Sequence, residues 1–267
     1  MGELNLAGAV KKQYATSEKL DIRISIHEKY SVNRQGFSNW IAQHYAFFQG
    51  ASVLELGCGT GTFWRSQPEL VNACNPLILS DFSAGMLETA KDTLKQYPSV
   101  RYQIIDIQDI PFPDHSFDFV IANMMLYHVP DPERGLKEVQ RVLKPGGVFY
   151  CATYGENGIM EYLSGLFGQY GIREQMNHTF TLQNGAGLLE RFFQRVQRDD
   201  YPDALAVTCM DDLADYVYSL SGMSALQDLP RETLISEFNA RTVNGVLHVP
   251  KEYGMFIAGL EGDFSAE

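Results

Sequence analysis

"VLELGCGTGTF", Val53 to Phe63, is the stretch on which the fold turns. A short apolar run, broken only by Glu55, leads into glycines at 57, 59 and 61. Such a run, bounded by turn residues, reads as a buried strand. Glycine lets the chain turn sharply and approach a ligand with no Cβ in the way. The spacing is G-x-G-x-G. A dinucleotide fingerprint needs a glycine three positions after the second one, and Thr62 stands there. Pro68 follows early, so the next helix is short or begins late, whereas pyrophosphate binding leans on an undisturbed helix N-terminus. An ordinary strand-to-helix turn explains the glycines alone; a second feature is needed.

Asp81 supplies it. It ends a second apolar run, "LILS" (77–80), one strand–helix unit after the loop. An ionised carboxylate accepts from two hydroxyls at once, which suits a ribose diol. Capping the following helix is the competing role. Together, glycine loop and Asp81 favour an adenosyl ligand.

Further runs at 100–105, 117–123 and 146–153 also read as buried strands. Between them, 85–97 places Met86, Leu87, Ala90 and Leu94 near one helical face. In "DPERGLKEVQRVLKPGG", Asp131 caps, Pro132 suits the first helical position, and Pro145 with two glycines stops the helix. This alternation implies βαβ units in an α/β fold, a parallel sheet with helices on both faces. Ligands of such sheets bind beyond the carboxyl ends of the strands. That rule points to Gly57–Gly61, Asp81, Asp106 and Asn123–His128. Residues 1–50 read as helical, with Phe37, Trp40, Ile41 and Phe48 on one stripe. The region 154–245 is mixed: helices near 158–169, 211–220 and 231–241, and an antiparallel strand near 193–199. The segment 243–260 reads as a hairpin whose second arm, "GMFIAG", joins the main sheet.

At 267 residues with 45% apolar content, the chain supports one large domain, or one with an elaborate insert. Its net charge of −12 repels a phosphate backbone, so nucleic acid is not an expected partner. No apolar run approaches the roughly 18–20 residues of a membrane span. The opening residues lack the pattern of a secretory signal, so the cytoplasm is the expected location. The cysteines at 58, 74, 151 and 209 are scattered, with neither metal-ligand nor disulfide-framework spacing, and no metal is expected.

These motifs resemble class I S-adenosylmethionine-dependent methyltransferases, in particular the quinone-biosynthesis (menaquinone/ubiquinone) type and its small-molecule relatives. The resemblance rests on 53–61, "SDFSAGML" (80–87), the stretch 104–147 and, weakly, "GMFIAG". It implies a Rossmann-like seven-stranded, mostly parallel sheet. It also implies an N-terminal helical lid (1–50), a cofactor-binding core (51–153), and an α-rich insert with the last strands (154–267). S-adenosylmethionine is the implied cofactor, S-adenosylhomocysteine its product, and a small organic molecule the acceptor. Glu55 and the glycines at 57, 59 and 61, with Cys58 between them, would surround the methionine part. Asp81 would take the ribose, Phe82 and Met86 would flank the adenine, and Asp106 with the Ile107 backbone would meet its amino edge. Asn123 would stand near the methionyl amine.

Methyl transfer needs alignment more than acid–base chemistry, and a base is optional. His128 is the candidate base, with Tyr127 behind it; fixing the loop is the alternative role for the histidine. From the lid, Tyr30, Arg34 and Trp40 are candidates for the methionyl carboxylate. Tyr154, Tyr162, Phe167 and Tyr170 are candidates for an acceptor pocket. Two other readings stay open: a non-catalytic adenosyl-binding module and an NAD-dependent oxidoreductase.

Overall fold

The structure is a computed structural model that describes residues 18–172, 177–220 and 224–260. Residues 1–17 of the expected N-terminal helical region lie outside the described residues.

The glycine stretch begins with β1 (Ala51–Leu56), buried at every position. Parallel strands covered on both faces demand such continuous apolar runs. Around it assemble β2 (Cys74–Asp81), β3 (Arg101–Ile104), β4 (Phe117–Ile121), β5 (Leu143–Tyr154), β6 (Arg195–Val207) and β7 (Leu247–Gly259). They form one seven-stranded sheet in the order β3-β2-β1-β4-β5-β7-β6. The first five are parallel; β7 runs antiparallel to both β5 and β6. Strand order reverses between β1 and β4, and the loops after both meet there.

Helices cover both faces. After α1 (Glu18–Tyr30), one side carries α2 (Phe37–Ala42) and, following β1, α3 (Thr62–Arg65) and α4 (Pro68–Ala73). Trp40, Ile41, Trp64 and Val71 pack there on Val53, Leu79 and Ile121. After β2, Ser83 caps α5 (Ala84–Thr93). On the other face, α6 (Pro132–Val142) starts as expected, Asp131 accepting from Arg134 N at 3.0 Å. Leu136, Val139 and Val142 pack on Leu54, Val120 and Phe149.

Three expectations change. The run 100–105 forms β3, which lies at the edge of the sheet and is mostly exposed, not buried. The stripe including Phe48 fails because α2 stops at Ala42 and the chain turns out of the helix, leaving Phe48 exposed. The segment 243–260 is no local hairpin. It makes a tight turn, Val243 to Val246, and then a single 13-residue strand, β7, paired along its whole length with β6. Its last residues do lie beside β5.

Beyond the Tyr154–Tyr253 pair, the β6–β7 ladder continues for six pairs, Pro202–Glu252 to Val207–Leu247. At roughly 3.4 Å per residue this overhang projects about 20 Å past β5, on the side where the strands' carboxyl ends lie. A separate core gathers on it: α1, α7 (Ile159–Leu166), α9 (Met210–Ser219), α10 (Ser224–Gln227) and α11 (Arg231–Asn239), with α8 (Gly185–Leu189) staying under the main sheet. A buried ion pair, Lys251 Nζ to Asp203 Oδ2 at 2.6 Å, pins the overhang to the chain after α1. Asp203 also accepts from Ser31 Oγ at 2.8 Å and Asn33 N at 3.0 Å.

Candidate functional site

All three loop glycines take positive φ: +79° at Gly57, +56° at Gly59 and +71° at Gly61. Their surroundings differ. A Cβ on Gly57 would stand 2.9 Å from Met125 Cβ, and one on Gly61 3.3 Å from Ala90 Cβ; one on Gly59 would meet nothing within 4 Å. Gly57 and Gly61 therefore serve packing, while Gly59 faces open space. Gly57→Ala is expected to lose about 2–3 kcal/mol in urea unfolding, strain and overlap combined. Gly59→Ala is expected to lose only about 1 kcal/mol, from the left-handed backbone alone.

The loop is tied to β2 at two levels. Gly57 N and Cys58 N both donate to Ser80 O at 2.8 Å. Gly59 N donates to Asp81 Oδ2 at 3.0 Å, while Ser83 N donates to Asp81 Oδ1 at 2.8 Å. Burial pushes the Asp81 carboxyl above the usual range, and the backbone N–H groups of Ser83, Gly59 and Phe82 oppose that shift. A carboxylate can accept about four hydrogen bonds, so Asp81 keeps capacity for an external diol.

Beneath the loop lies a buried polar floor. Glu55 Oε2 accepts from Trp64 Nε1 at 2.5 Å. Among the described residues, Trp64 is the only donor to that carboxylate, which leaves Oε1 for an external donor. Burial pushes Glu55 up to about 7, against the Trp64 bond, and the charge of Asp81 adds to the rise. Asn123 is spent on structure: Nδ2 donates to Tyr45 Oη at 2.6 Å and Oδ1 accepts from Ala152 N at 3.1 Å. Tyr45, which the sequence reading did not name, joins this floor through its bond to Asn123. Its buried ring lies 4.8 Å from Tyr150 and 5.8 Å from Phe63.

At the rim, Asp106 Oδ1 accepts from Gln108 N at 2.9 Å and Nε2 at 3.1 Å, a local cap. Met86 and Ile107 are buried, whereas Phe82 is half-buried. After β4 the chain makes a 3-10 turn, Leu126–His128. The His128 ring lies tilted against Tyr127, centroids 4.5 Å apart; burial, with Arg23 nearby, holds it down at about 4. It is neutral at physiological pH and a weak base.

The lid candidates separate. Tyr30 gives its hydroxyl to Asp212 Oδ2 at 2.6 Å and packs in the overhang core. Arg34 is exposed, and Trp40 is ordinary packing, its ring 5.3 Å from Tyr201. Of the acceptor-pocket candidates, Tyr154 lies beside the site, 4.4 Å from the Tyr127 ring. Phe167 instead packs on Phe238, Tyr162 joins the same core, and Tyr170 bonds Glu237 at the surface. Among the described residues no His, Cys, Asp and Glu side chains gather as a metal site, and no helix is long and apolar enough to cross a membrane.

Residues 54–151 match the methyltransferase domain family. The chain is 32% identical over 127 residues to the demethylmenaquinone methyltransferase of Lysinibacillus sphaericus, an alignment covering 48% of this chain and 54% of that protein. It spans about half the length of the curated relatives it matches. Two solved structures share the fold at low identity. The YcgJ protein of Bacillus subtilis superposes with a TM-score of 0.58 at 18% identity, over 84% of this chain and 98% of that one. The phosphoethanolamine N-methyltransferase 2 of Haemonchus contortus, in complex with S-adenosylmethionine, superposes with a TM-score of 0.57 at 16% identity, over 91% and 57%. The domain match falls on the parallel half of the sheet and includes the glycine loop, so sheet order, loop and match agree for that part of the chain.

Proposed function

We propose that this chain transfers a methyl group from S-adenosylmethionine to a small organic acceptor. When bound, the sulfonium supplies an electrophilic methyl and a good leaving group. The chain's own part is to align the reactants and exclude water. The observation that carries the reading is the Gly59–Asp81 bond. It sets an open, Cβ-free turn beside a carboxylate with acceptor capacity left over, which suits an adenosyl ligand and not a pyrophosphate.

In this reading Gly57–Gly61 and Cys58 line the methionine part, and Glu55 Oε1 receives its ammonium. Asp81 takes the ribose diol. Phe82, Met86, Ile107 and Asp106 border the adenine. Asn123 acts through its backbone, since its amide is committed, and Tyr45 replaces Tyr30 as the aromatic reaching the site from the N-terminal segment. His128 is too weakly basic to draw a proton from a poorly acidic acceptor at neutral pH. Residues 1–50 act as a lid, 51–153 as the cofactor core and 154–267 as the cap that selects the acceptor, in a cytoplasmic setting. The relatives' name makes a quinol the first acceptor to try.

Titration calorimetry with S-adenosylmethionine and S-adenosylhomocysteine tests the cofactor half; no binding of either at millimolar concentration refutes it. A radiolabel screen over quinols, phenols, amines and carboxylates tests the acceptor half. If all stay silent while the cofactor binds, the chain is a binding module.

Glu55 yields a further expectation. Because its folded-state pKa is raised, the folded chain holds a proton that the unfolded chain releases between about pH 4.5 and 7. Stability therefore falls as pH rises through that window and levels off above it. Glu55→Gln should abolish that slope and gain about 2–3 kcal/mol at pH 8 in urea unfolding. The same variant should bind S-adenosylhomocysteine at least about tenfold more weakly, one lost charge-assisted bond. A gain in stability with undiminished binding would remove Glu55 from the site.

A further inference from the structure

The overhang carries a polar atom that has no partner among the described residues. His27, on α1, lies against β7 with Nε2 3.2 Å from Tyr253 Oη. Its Nδ1 is buried and meets no hydrogen-bond partner among the described residues. Edge contacts with Tyr216 at 6.1 Å and Tyr253 at 5.6 Å fix the ring.

Proton counting settles which nitrogen carries the hydrogen. Tyr253 Oη bonds only His27 among the described residues. If the phenol donates to Nε2, a single group, Nδ1–H, is left over. If Nε2–H donates to the phenol, two are left over: the phenol proton and the Nδ1 lone pair. Buried polar groups pair wherever they can, so the first arrangement holds. Burial, with Lys251 nearby, holds His27 down at about 3, so the ring is neutral. The fold thus keeps one uncharged N–H donor in reserve.

Its surroundings say what it is for. Tyr253 faces Tyr154 across the ladder. The Tyr154 ring lies 4.4 Å from Tyr127, and Met125 of the same loop abuts Gly57. Aromatic rings therefore line the way from the donor to the glycine loop. An N–H donor calls for an acceptor atom on the ligand, such as a ring oxygen, and not for a cationic amine.

We propose that His27 Nδ1–H holds a ring oxygen of a hydroxylated aromatic acceptor, with Tyr253 as the positioning residue that fixes the tautomer. The inference rests on the methyl-transfer reading and names the acceptor class for that site. Nδ1 is covered in this structure, so binding an acceptor there requires α1 to give way.

The probe is 1,4-dihydroxynaphthalene, titrated into the full chain already saturated with S-adenosylhomocysteine. The parent chain binds it. His27→Phe binds it at least about tenfold more weakly, the effect of one lost hydrogen bond, with the affinity for S-adenosylhomocysteine unchanged. His27→Asn, whose amide stands near the position of Nδ1, retains most of the affinity and covers the case of a poorly folded phenylalanine variant. Nitrogen-15 spectra of histidine-labelled protein show the Nδ1–H tautomer in the parent and a mixture in Tyr253→Phe, a change that a merely structural tyrosine would not produce. Parent protein that takes up S-adenosylhomocysteine but not the diol overturns the proposal. So does equal diol binding by His27→Phe, or an Nε2–H tautomer in the parent. Failure of S-adenosylhomocysteine itself to bind would instead sink the underlying reading.

Discussion

The Asp81→Ala variant is expected to bind S-adenosylhomocysteine at least about a hundredfold more weakly than the parent chain, measured by titration calorimetry. Two losses combine. The ribose diol loses its charged acceptor, and hydrogen bonds to a charged group contribute about 1.5–3 kcal/mol each. Gly59 N also loses its partner at 3.0 Å, so the loop no longer holds its shape before the ligand arrives. Asp81→Asn separates the two. It keeps one carbonyl oxygen for a backbone donor but cannot accept from a diol on both atoms, so it should fall between parent and alanine variant. An alanine variant within threefold of the parent would show that the ligand lies elsewhere.

The second large effect concerns stability. Lys251→Met is expected to cost about 3–5 kcal/mol in urea unfolding, because it strands a buried carboxylate. The Lys251 and Asp203 side chains are 1% and 0% exposed. Burial alone would push Asp203 up; the bonds from Lys251, Asn33 and Ser31 instead hold it below the ordinary carboxylate range. A depressed carboxyl contributes stability that is present at neutral pH and lost as pH falls through its folded value. The methionine variant should lose that contribution. Replacing both partners with apolar residues should recover much of the stability, since no charge is then left buried. A single variant within 1 kcal/mol of the parent would mean that water reaches the pair.

The parallel half of this sheet was legible because its information is local. The strands β1, β2, β4 and β5 each contain a short apolar run, β3 is a mostly exposed edge strand instead, and Asp131–Pro132 announces α6 within two positions. The outer ladder was not legible for the opposite reason. Asp199, Asp200, Pro202 and Asp203 interrupt β6, and Pro250, Lys251 and Glu252 sit mid-strand in β7. Each looks like a break. β6 tolerates proline and charge because it is an edge strand. Lys251 tolerates burial because Asp203 stands opposite it in the register, a pairing between residues almost fifty positions apart. Tyr45 was missed for a related reason. "AQHYAFF" continues a helical pattern, yet the chain leaves the helix at Ala42, and that turns Tyr45 toward Asn123. At the candidate site, spacing named the loop and Asp81, which the fold brings together, but it could not say that the Asn123 amide and the Tyr30 hydroxyl were already engaged.

The ion pair at Asp203 has a consequence for how this protein can be taken apart. Ser31 and Asn33 belong to the first fifty residues, yet they complete the coordination of a charge seated in the outermost strands. Tyr45, from the same segment, closes the hydroxyl-to-amide contact under the glycine turn. Deleting that segment would open a charged cavity at one end of the molecule and unroof a polar one at the other. Entrance and floor are thus a single mechanical piece, and dissecting them calls for point changes, not shortened chains.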